Sequence, residues 1–447
     1  MSDRPDITAI AFDPEAAPSA IAQALTGRHP ADIAAAVGAL PSERLRAVLA
    51  ELDTELAADV IINLDEQVLE DVLELLEAPE IAGLATELPS DDAADVLGAL
   101  DGPKQAQVLS ALETDDRREV EQLLKYTDES AGGIMASEFV FVTRDATVDK
   151  AIEVLRSAAD EVDEIHNLYV TDPGGRLVGV LPLASVVLAP AGTRVSDVMA
   201  PDVLSVTAET DQEVVAELFE KYDLVALPVV DRSGVLVGRI TVDDIIDVIH
   251  EEADEDISLM AGTREEELHE DSPLRVSRIR LPWLIIGALG GLGSATVMRY
   301  FQLSLERVLA LAFFVPVITA MGGNVGLQTS TIIVRSMRTE RSVAGETLTR
   351  LLREWRIALT NALILGAAVH LTVGFWLRDW GLAAVVGCSL ATVILVAATL
   401  GTVMPFALRR AGVDPAVAQG PFVTTLNDVI GILVYLGLAS AFIDKLT

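Results

Sequence analysis

Five long apolar stretches constrain this chain more than any other feature of its sequence. They lie at residues 281–298, 308–334, 357–377, 381–404 and 417–443. Each has the ~18 or more residues that a helix needs to cross the hydrocarbon core of a bilayer. The sequence therefore predicts five transmembrane helices, in an all-α domain that covers residues 273–447.

The distribution of charge divides the chain at the same place. Residues 1–272 hold 60 acidic and 17 basic residues, whereas residues 273–447 hold 8 acidic and 15 basic residues. A part with a net charge of −43 is unsuited to nucleic acids, whose phosphates require Lys and Arg. Its charge suits cations, or simply solubility. An acidic, water-exposed part therefore precedes the membrane domain.

Arginine placement predicts the orientation of the helices. Arginines precede the first stretch, fill the loop between the second and third, and follow the fourth: Arg275, Arg278, Arg280, Arg335, Arg338, Arg341, Arg350, Arg353, Arg356, Arg409 and Arg410. The opposite loops hold only Arg299, Arg307 and Arg378. Because basic loops stay in the cytosol, we expect a multi-pass protein of the inner membrane with its N-terminal part cytosolic and its C-terminus outside. The first thirty residues, acidic and without an apolar core, do not resemble a signal peptide.

A leucine recurs every twelve residues in the N-terminal part: Leu40, Leu52, Leu64, Leu76, Leu88, Leu100 and Leu112. Each is followed by Pro, Asp or Glu, and we expect these turn-like residues to end each helix. A fixed period predicts stacked short helices, here an all-α superhelical array over residues 1–130. Asp91 and Asp95 share a helix face, and the repeat superimposes Asp59 on Asp95. They form either a solvated acidic face or part of a cation site shared with another domain.

Residues 131–258 contain a tandem repeat. The segment Gly-Ile-Met-Ala-Ser at 133–137 returns as Asp-Val-Met-Ala-Pro at 197–201. The segment at 168–179 returns at 227–238, each with an Asp-x-x-Gly turn followed by Leu-Val-Gly. Each copy is predicted to fold as strand, helix, strand, turn, strand and helix. The repeat resembles an α/β pair of CBS domains, one at 131–196 and the core of the second at 197–241.

An acidic linking helix and linker are predicted at 242–272, between this pair and the membrane domain. One helical stripe is apolar and contains Ile246, Ile249, Ala253, Ile257 and Met260. Another is acidic and contains Asp244, Asp247, Glu251 and Glu255. Two unpaired carboxylates ~4 Å apart repel by about 4 kcal/mol at an effective dielectric constant of about 20, whereas a divalent cation between them attracts both. The helix is therefore either simply solvated or a switch that cation occupancy drives.

Two apolar stretches carry polar residues that a lipid-facing helix avoids. The second contains Pro316, Gly-Gly-Asn at 322–324 and Gln328, and the fifth contains Thr-Leu-Asn-Asp at 425–428. The proline and glycines are expected to weaken the second helix locally and to free backbone carbonyls. An intramembrane charge costs about 2.5–3.5 kcal/mol on insertion scales, which favours a functional role for Asp428.

The oxygen donors of these stretches suit a hard cation. Mg²⁺ prefers oxygen ligands and keeps much of its water, so one carboxylate per chain, doubled by a symmetric partner, suffices to face a hydrated ion. Two alternatives are a proton relay through Asp428 and simple close packing of helices at the glycines.

The order of helical array, CBS pair, acidic linking helix and five-helix membrane domain resembles the MgtE family of Mg²⁺ channels. The resemblance is carried by the segments at 126–135, 316–328 and 414–428. It implies a homodimer in the lipid bilayer with a pore on its two-fold axis, and an ion site formed by Asp428, Asn324 and backbone oxygens near Gly323 and Thr424. It also implies that cytosolic Mg²⁺ binds acidic residues and holds the pore shut. The regulatory candidates carried over by position are Asp59, Asp91, Asp95, Glu213, Asp223, Asp244, Asp247, Glu252, Glu255 and Asp256.

These features predict a Mg²⁺-selective channel or transporter for uptake, gated shut by cytosolic Mg²⁺, and not an enzyme. One alternative is a proton-coupled transporter or exporter, or a carrier that also takes Mn²⁺ or Co²⁺, because oxygen ligands admit all of these ions. Another is a nucleotide-regulated membrane enzyme, although the sequence has no nucleophile–base pair, Gly-rich phosphate loop or HExxH motif. The resemblance to CBS pairs also admits ATP or another adenine nucleotide as a ligand.

Overall fold

The structure is a computed structural model that describes residues 16–159, 165–263, 267, 272–339, 346–418 and 420–442. The chain divides into two compact units, Met1–Glu251 and Glu252–Thr447. The sequence predictions for the N-terminal tail, for most of the linker up to residue 272 and for the position of the C-terminus concern residues outside the described ranges.

In the part of the N-terminal unit that the structure describes, nine short helices come first. They are α1 (Pro18–Leu25), α2 (Pro30–Val37), α3 (Ser42–Leu49), α4 (Thr54–Ile62), α5 (Glu66–Leu75), α6 (Ala78–Thr86), α7 (Ser90–Gly98), α8 (Gly102–Ala111) and α9 (Thr114–Leu123). Most pack against the next helix but one, for example α1 on α3 and α2 on α4. Ile33, Val60 and Leu97 on their inner faces are fully buried. This stacking confirms the predicted superhelical array.

The twelve-residue leucine period marks where helices begin. Each leucine lies directly before the residue at the N-cap of the next helix. Leu52 precedes Asp53, whose carboxylate accepts a hydrogen bond from the Leu56 N–H at 3.0 Å, and Asp101 caps α8 in the same way. An N-cap carboxylate satisfies one of the free N–H groups of the first turn. The Pro, Asp and Glu residues of the repeat therefore start each helix, whereas we expected them to end the preceding one.

The tandem repeat folds as the predicted CBS pair. The first copy contains β1 (Phe141–Thr143), α10 (Val148–Ala158), β2 (Asn167–Thr171), β3 (Leu177–Pro182), α11 (Leu183–Leu188) and α12 (Val195–Val198). The second contains β4 (Val206–Thr207), α13 (Gln212–Tyr222), β5 (Ala226–Val230), β6 (Leu236–Thr241) and the linking helix α14 (Val242–Ala261). In each copy the first strand pairs parallel with the second, and the second pairs antiparallel with the third.

The two copies exchange the segments that precede their first strands. The segment before β1 crosses to the second copy, where a Cβ added at Gly238 would lie 2.7 Å from Met135 Sδ. The segment before β4 crosses to the first copy, where Gly179 meets Met199 at the same distance. Only glycine allows this approach. Because each copy borrows a segment of the other, the boundaries 131–196 and 197–241 stay a prediction.

The second CBS copy shares one hydrophobic core with the helical array. Leu97 of α7 belongs to the same buried cluster as Phe219 of α13 and Ile245 of α14. The first copy has a core of its own, built around Leu168 and Leu181. The shared core holds the start of α7 beside the start of α14.

The described C-terminal unit is helical. After the end of α14 it contains α15 (Pro273–Tyr300), α16 (Gln302–Arg307), α17 (Ala310–Thr339), α18 (Glu346–Leu377), α19 (Trp380–Arg410), a 3₁₀ turn (Pro415–Ala418) and α20 (Pro421–Ala441). Within the described residues, α15, α17, α18, α19 and α20 are long and apolar enough to cross a membrane. This confirms the five predicted spans. α17 passes through Pro316 without interruption, so the weakening expected there is not seen.

α19 lies at the centre of the membrane unit and packs against α17, α18 and α20. Glycines allow the closest approach, since a Cβ added at Gly401 of α19 would lie 2.5 Å from the Gly326 carbonyl oxygen of α17. The hydroxyl of buried Tyr435 donates a hydrogen bond to the Leu311 carbonyl oxygen at 2.9 Å, which ties α20 to α17. α15 packs against α20 and buries none of its residues within the chain.

Candidate ion sites

Carboxylates of the helical array and of the linking helix meet in the N-terminal unit. The first turn of α7 carries Asp91 and Asp92, and Asp95 follows one turn later. The first turn of α14 carries Asp243 and Asp244. The charge of Asp244 acts on all three carboxyl groups of α7. We call these residues, with Asp59 and Asp247, the acidic cluster.

Hydrogen bonds fix the start of α7 on the segment that leads into the CBS pair. The Ser90 N–H donates to Glu138 Oε1 at 3.1 Å, and the Ser90 hydroxyl donates to Glu138 Oε2 at 2.9 Å. The Ser137 N–H donates in turn to Ser90 Oγ at 2.8 Å. These bonds replace the intrahelical partners that a first turn lacks, and they fix the position of the turn that carries Asp91 and Asp92.

Asp244 is fixed at the start of α14. Its Oδ2 accepts hydrogen bonds from the Thr241 N–H at 2.9 Å and from the Thr241 hydroxyl at 2.8 Å. Burial raises the pKa of Asp244, and the two bonds from Thr241 act in the opposite direction. At the equivalent positions of the first copy, Pro182 and Ser185 cannot form this arrangement.

Burial and crowding by other carboxylates raise the pKa of each α7 carboxyl group. Burial, then the charges of Asp244 and Asp92, raises the pKa of Asp91 well above its usual value. Burial, then Asp244 and Asp243, raises the pKa of Asp92 to about 6. Desolvation, then Asp92 and Asp128, raises the pKa of Asp95 to about 7, although much of this residue stays exposed.

A raised pKa means that the ionised form of a carboxyl group lacks compensation. A proton or a cation supplies that compensation, and carboxylate oxygens are the ligands that Mg²⁺ prefers. Within the described ranges, no three His, Cys, Asp or Glu side chains already converge as a chelating set. This donor set therefore suits a cation that keeps part of its water shell, as Mg²⁺ does.

The structure brings some of the predicted regulatory residues together and leaves others elsewhere. Asp59, Asp91, Asp95, Asp244 and Asp247 join the acidic cluster, because Asp59 and Asp247 act on Asp92.

Glu213 and Asp223 lie at opposite ends of α13. Neither is among the charges with the largest effect on the α7 carboxyl groups. Asp223 ends α13 in a left-handed conformation with φ 50°, which Asp tolerates better than most residues.

The remaining regulatory candidates lie on the part of α14 that belongs to the C-terminal unit. Asp256 is 8% exposed, Glu252 is half-buried and Glu255 is exposed. None of these three residues belongs to a preformed chelating set of His, Cys, Asp or Glu side chains within the described chain. Their role as metal ligands stays a prediction.

Sequence reasoning missed Asp92 and Asp243. A spacing of four residues selects Asp91 and Asp95 as neighbours on one face, and it passes over the residue between them. The sequence feature that could have identified them is a pair of adjacent aspartates in the first turn of each of two helices, Asp91-Asp92 and Asp243-Asp244. Adjacent acidic residues at two helix starts predict a shared site only once those starts are known to meet.

In the membrane unit, the candidate pore residues lie on α17 and α20. Asp428 is partly exposed and lies about two turns into α20, about one turn after Thr424. A Cβ added at Gly323 of α17 would lie 4.0 Å from Thr424 Cγ2, and Asn324 next to it is exposed. The structure therefore places Gly323 against Thr424, with Asn324 and Asp428 on surfaces that the chain itself does not cover completely.

α20 is held between two glycine-bearing helices. On one side, Cβ atoms added at Gly290 and Gly293 of α15 would meet Thr425 and Val429. On the other side, Gly322 and Gly326 of α17 approach Asn427. The alternative of close packing through small residues thus applies to Gly322 and Gly326. Since successive residues turn about 100° around a helix, Asp428 points between these two contacts.

The end of the linking helix lies against the start of α20. A Cβ added at Gly420, the N-cap of α20, would lie 3.4 Å from the carbonyl oxygens of both Leu259 and Met260. Both partners belong to the C-terminal unit. The end of α14 is therefore in contact with the start of the helix that carries Asp428.

A separate groove lies in the first CBS copy, between the edge of β1 and α10. It has a volume of about 520 Å³. Its lining includes Phe139, Phe141, apolar residues of α10, and Lys150, whose ammonium group donates a hydrogen bond to Glu153 Oε2 at 2.9 Å. An aromatic surface beside a cation can accommodate a flat, anionic ligand.

Three family profiles match the chain. The profile of MgtE, described as a divalent cation transporter, matches residues 315–438. The MgtE intracellular N domain matches residues 28–129, and the CBS domain matches residues 131–192 and 195–251.

Individual proteins agree with these profiles. The chain is 40% identical to the magnesium transporter MgtE of Thermus thermophilus over 73% of this chain and 73% of that protein. It is 37% identical to the magnesium transporter MgtE of Bacillus subtilis over 74% of this chain and 73% of that one. Among solved structures, the cytosolic domain of the Mg²⁺ channel MgtE in complex with ATP aligns at 38% identity with a TM-score of 0.49, over 51% of this chain and 94% of that one. The chain belongs to the MgtE family of divalent cation transporters.

Proposed function

We propose that this protein carries Mg²⁺ across the membrane along α17 and α20, past Asp428, and that cytosolic Mg²⁺ closes the path. The observation that carries the proposal is the acidic cluster, in which carboxylates of α7 and α14 meet with raised pKa values. Relatives with 40% and 37% identity are named magnesium transporters, which favours Mg²⁺ as the ion and a transporter over a membrane enzyme. They do not favour the proton-coupled or broader-specificity alternatives.

Asp428 is the proposed centre of the ion path. It is a partly exposed carboxylate inside a span, about one turn after Thr424, the residue that lies against Gly323. Asn324 adds an exposed amide oxygen on α17. Such a set of oxygens faces a hydrated Mg²⁺ ion without removing all of its water.

Closure is proposed to act through α14. In the docked state α7 lies on the start of α14. Without a divalent cation, repulsion within the acidic cluster weakens this docking. Mg²⁺ between these carboxylates reverses the sign of the interaction and favours the docked state. The other end of α14 lies against Gly420 at the start of α20, so docking supports a closed position of the Asp428 helix. Glu252, Glu255 and Asp256 are proposed as further Mg²⁺ ligands on this part of α14.

We propose a homodimer with its axis near Asp428, in the inner membrane with the N-terminal unit in the cytosol and the C-terminus outside. The apolar stripe of α14 supports a partner, because Ile246, Ile249 and Ile257 are 52%, 47% and 63% exposed. α15 also buries none of its residues within the chain. Large exposed apolar surfaces of this kind mark contacts with protein or lipid.

The transport proposal predicts that Asp428→Ala abolishes Mg²⁺ influx into proteoliposomes, because the path loses its carboxylate. Influx is followed with an entrapped Mg²⁺ indicator. Glu306→Gln, which neutralises an exposed carboxylate on α16, should leave influx unchanged. Normal influx through Asp428→Ala would reject the assigned site.

Ion selectivity is tested separately, by competition of Mn²⁺, Co²⁺ and Ni²⁺ with Mg²⁺ influx. Repeating the influx measurement with and without a pH gradient tests proton coupling.

The gating proposal predicts that Asp244→Asn combined with Asp247→Asn keeps influx active at high internal Mg²⁺. The matched control is Asp254→Asn, on an exposed position of the same helix. If the double variant closes at the same Mg²⁺ concentration as the unsubstituted protein, the acidic cluster is not the sensor.

We also propose that an adenine nucleotide such as ATP binds the CBS pair as a regulator. The groove of about 520 Å³ beside Phe139, Phe141 and Lys150 supports it, since a base stacks on an aromatic ring and phosphates pair with an ammonium group. ATP binding is measured by equilibrium titration of the purified protein. Loss of affinity in Lys150→Ala supports this groove, and unchanged affinity excludes it.

A further inference from the structure

Asn427 is the buried polar residue of the membrane unit that the proposed mechanism does not use. It precedes Asp428 on α20 and is 2% exposed. Neither its amide nitrogen nor its amide oxygen has a hydrogen-bond partner among the described residues. An amide buried without partners costs free energy, and an apolar side chain of similar shape would not.

The amide faces α17 at a glycine. A Cβ added at Gly326 would collide with Asn427 Nδ2, and one added at Gly322 would lie 3.8 Å from the backbone carbonyl oxygen of Asn427. Gly326 is also the residue whose carbonyl oxygen approaches Gly401 of α19. The amide therefore lies between packed helices, shielded from the surface of the chain.

The neighbouring residue has the opposite environment. Asp428 is partly exposed, whereas Asn427 is sealed, and the two side chains point about 100° apart around α20. A small separation or rotation of α20 relative to α17 would bring the amide into contact with the water around Asp428. The unmade hydrogen bonds of Asn427 favour that movement, because water satisfies them.

We infer that the contact between Asn427 and Gly326 belongs to the closed state and breaks when the ion path opens. Water then reaches the Asn427 amide, which acts as a positioning residue for the hydrated ion beside Asp428. The inference rests on the proposed Mg²⁺ transport. Beyond that proposal, hydration of the Asn427 amide favours the open state of the ion path.

The first test measures access of water-soluble thiol reagents to Asn427→Cys. The chain has one native cysteine, Cys388, so Cys388→Ser provides a cysteine-free background. At low Mg²⁺ the thiol should react about tenfold faster than at saturating Mg²⁺. Leu436→Cys, at a fully buried position of the same helix, should be unreactive in both conditions. Equal reaction rates at Asn427→Cys with and without Mg²⁺, in protein that still closes, would overturn the inference.

The second test uses the glycine. Gly326→Ala should push α17 and α20 apart and raise the Mg²⁺ concentration for half-closure by about tenfold. Adding Asn427→Ala should bring the half-closure concentration back to the original value or below it, because it removes both the colliding group and the amide whose hydration favours opening. A purely structural role predicts instead that Gly326→Ala lowers influx without moving the half-closure concentration, and this outcome would also overturn the inference.

The two tests separate this inference from the proposed function. Absence of Mg²⁺ influx through the unsubstituted protein would refute the transport proposal itself. Influx and closure that proceed normally, with an Asn427→Cys thiol that never reacts, would refute only the role of Asn427.

Discussion

The acidic cluster predicts that removing one charge stabilises the docked state when no divalent cation is present. Asp92→Asn is the appropriate change, because burial, Asp244 and Asp243 raise the pKa of Asp92 from 3.8 to about 6. Two pKa units correspond to about 3 kcal/mol of interaction free energy. Asp92 is half-buried, so solvent screening reduces this to about 1–2 kcal/mol.

The pH dependence of this effect has a definite sign. In the docked state the carboxyl group ionises near pH 6, and in the separated state it ionises near 3.8. The cost of docking therefore grows as the pH rises from about 4 to about 6 and is constant above that, because only in this interval do the two states differ in protonation. Asn does not ionise, so the advantage of Asp92→Asn should be complete above about pH 6 and should vanish near about pH 4.

Hydrogen exchange of the α7 amides (Ser90–Gly98) in the full-length protein measures this docking. In EDTA at about pH 7.5, a gain of about 1–2 kcal/mol slows exchange through opening by about 5- to 30-fold. Saturating Mg²⁺ should reverse the order, because the variant has lost a ligand.

Glu87→Gln is the matched control, since Glu87 is an exposed carboxylate of the same array. Exchange in Asp92→Asn that is unchanged or faster in EDTA would refute the idea that the cluster repels itself. An equal gain at low and neutral pH would show that the effect does not come from ionisation.

Two further predictions concern the packing of the membrane unit, and thermal unfolding in detergent measures both. Gly401→Ala should destabilise the folded protein by about 1–3 kcal/mol, because the added Cβ would lie 2.5 Å from the Gly326 carbonyl oxygen. The control Gly287→Ala, where an added Cβ meets nothing within 4 Å, should leave the stability unchanged. Equal effects of the two substitutions would contradict the packing of α19 on α17. Tyr435→Phe should cost about 1–2 kcal/mol, because the Leu311 carbonyl oxygen loses its bond from the hydroxyl; an unchanged melting temperature would show that this bond contributes nothing.

Local pattern was sufficient to predict the elements of this protein. The five spans follow from the length and apolarity of the C-terminal stretches. The helical array follows from a leucine every twelve residues, and the CBS pair follows from a repeated strand and turn pattern. Each depends on residues close in sequence, where helix and strand periodicity is visible directly. Even here the pattern misled twice, since the Asp and Pro residues of the array begin helices instead of ending them, and α17 passes through Pro316 without interruption.

Spacing along a helix identifies faces, but it does not identify what a face meets. Asp91 and Asp95 were predictable as neighbours on α7, whereas the position of Asp92 among the carboxylates of α14 was not. The core shared by the helical array and the second CBS copy makes that contact. It joins residues far apart in the chain, so no short sequence window contains the information.

By itself the sequence determined the order of the parts, the membrane-spanning segments and the excess of negative charge before them. Only the tertiary structure decided which carboxylates share a space, that Gly420 meets the end of the linking helix, and that Asn427 is sealed while Asp428 is partly exposed. The physical reason is that burial and electrostatic interaction depend on distances in space, and those distances are set by packing between elements that local periodicity cannot place.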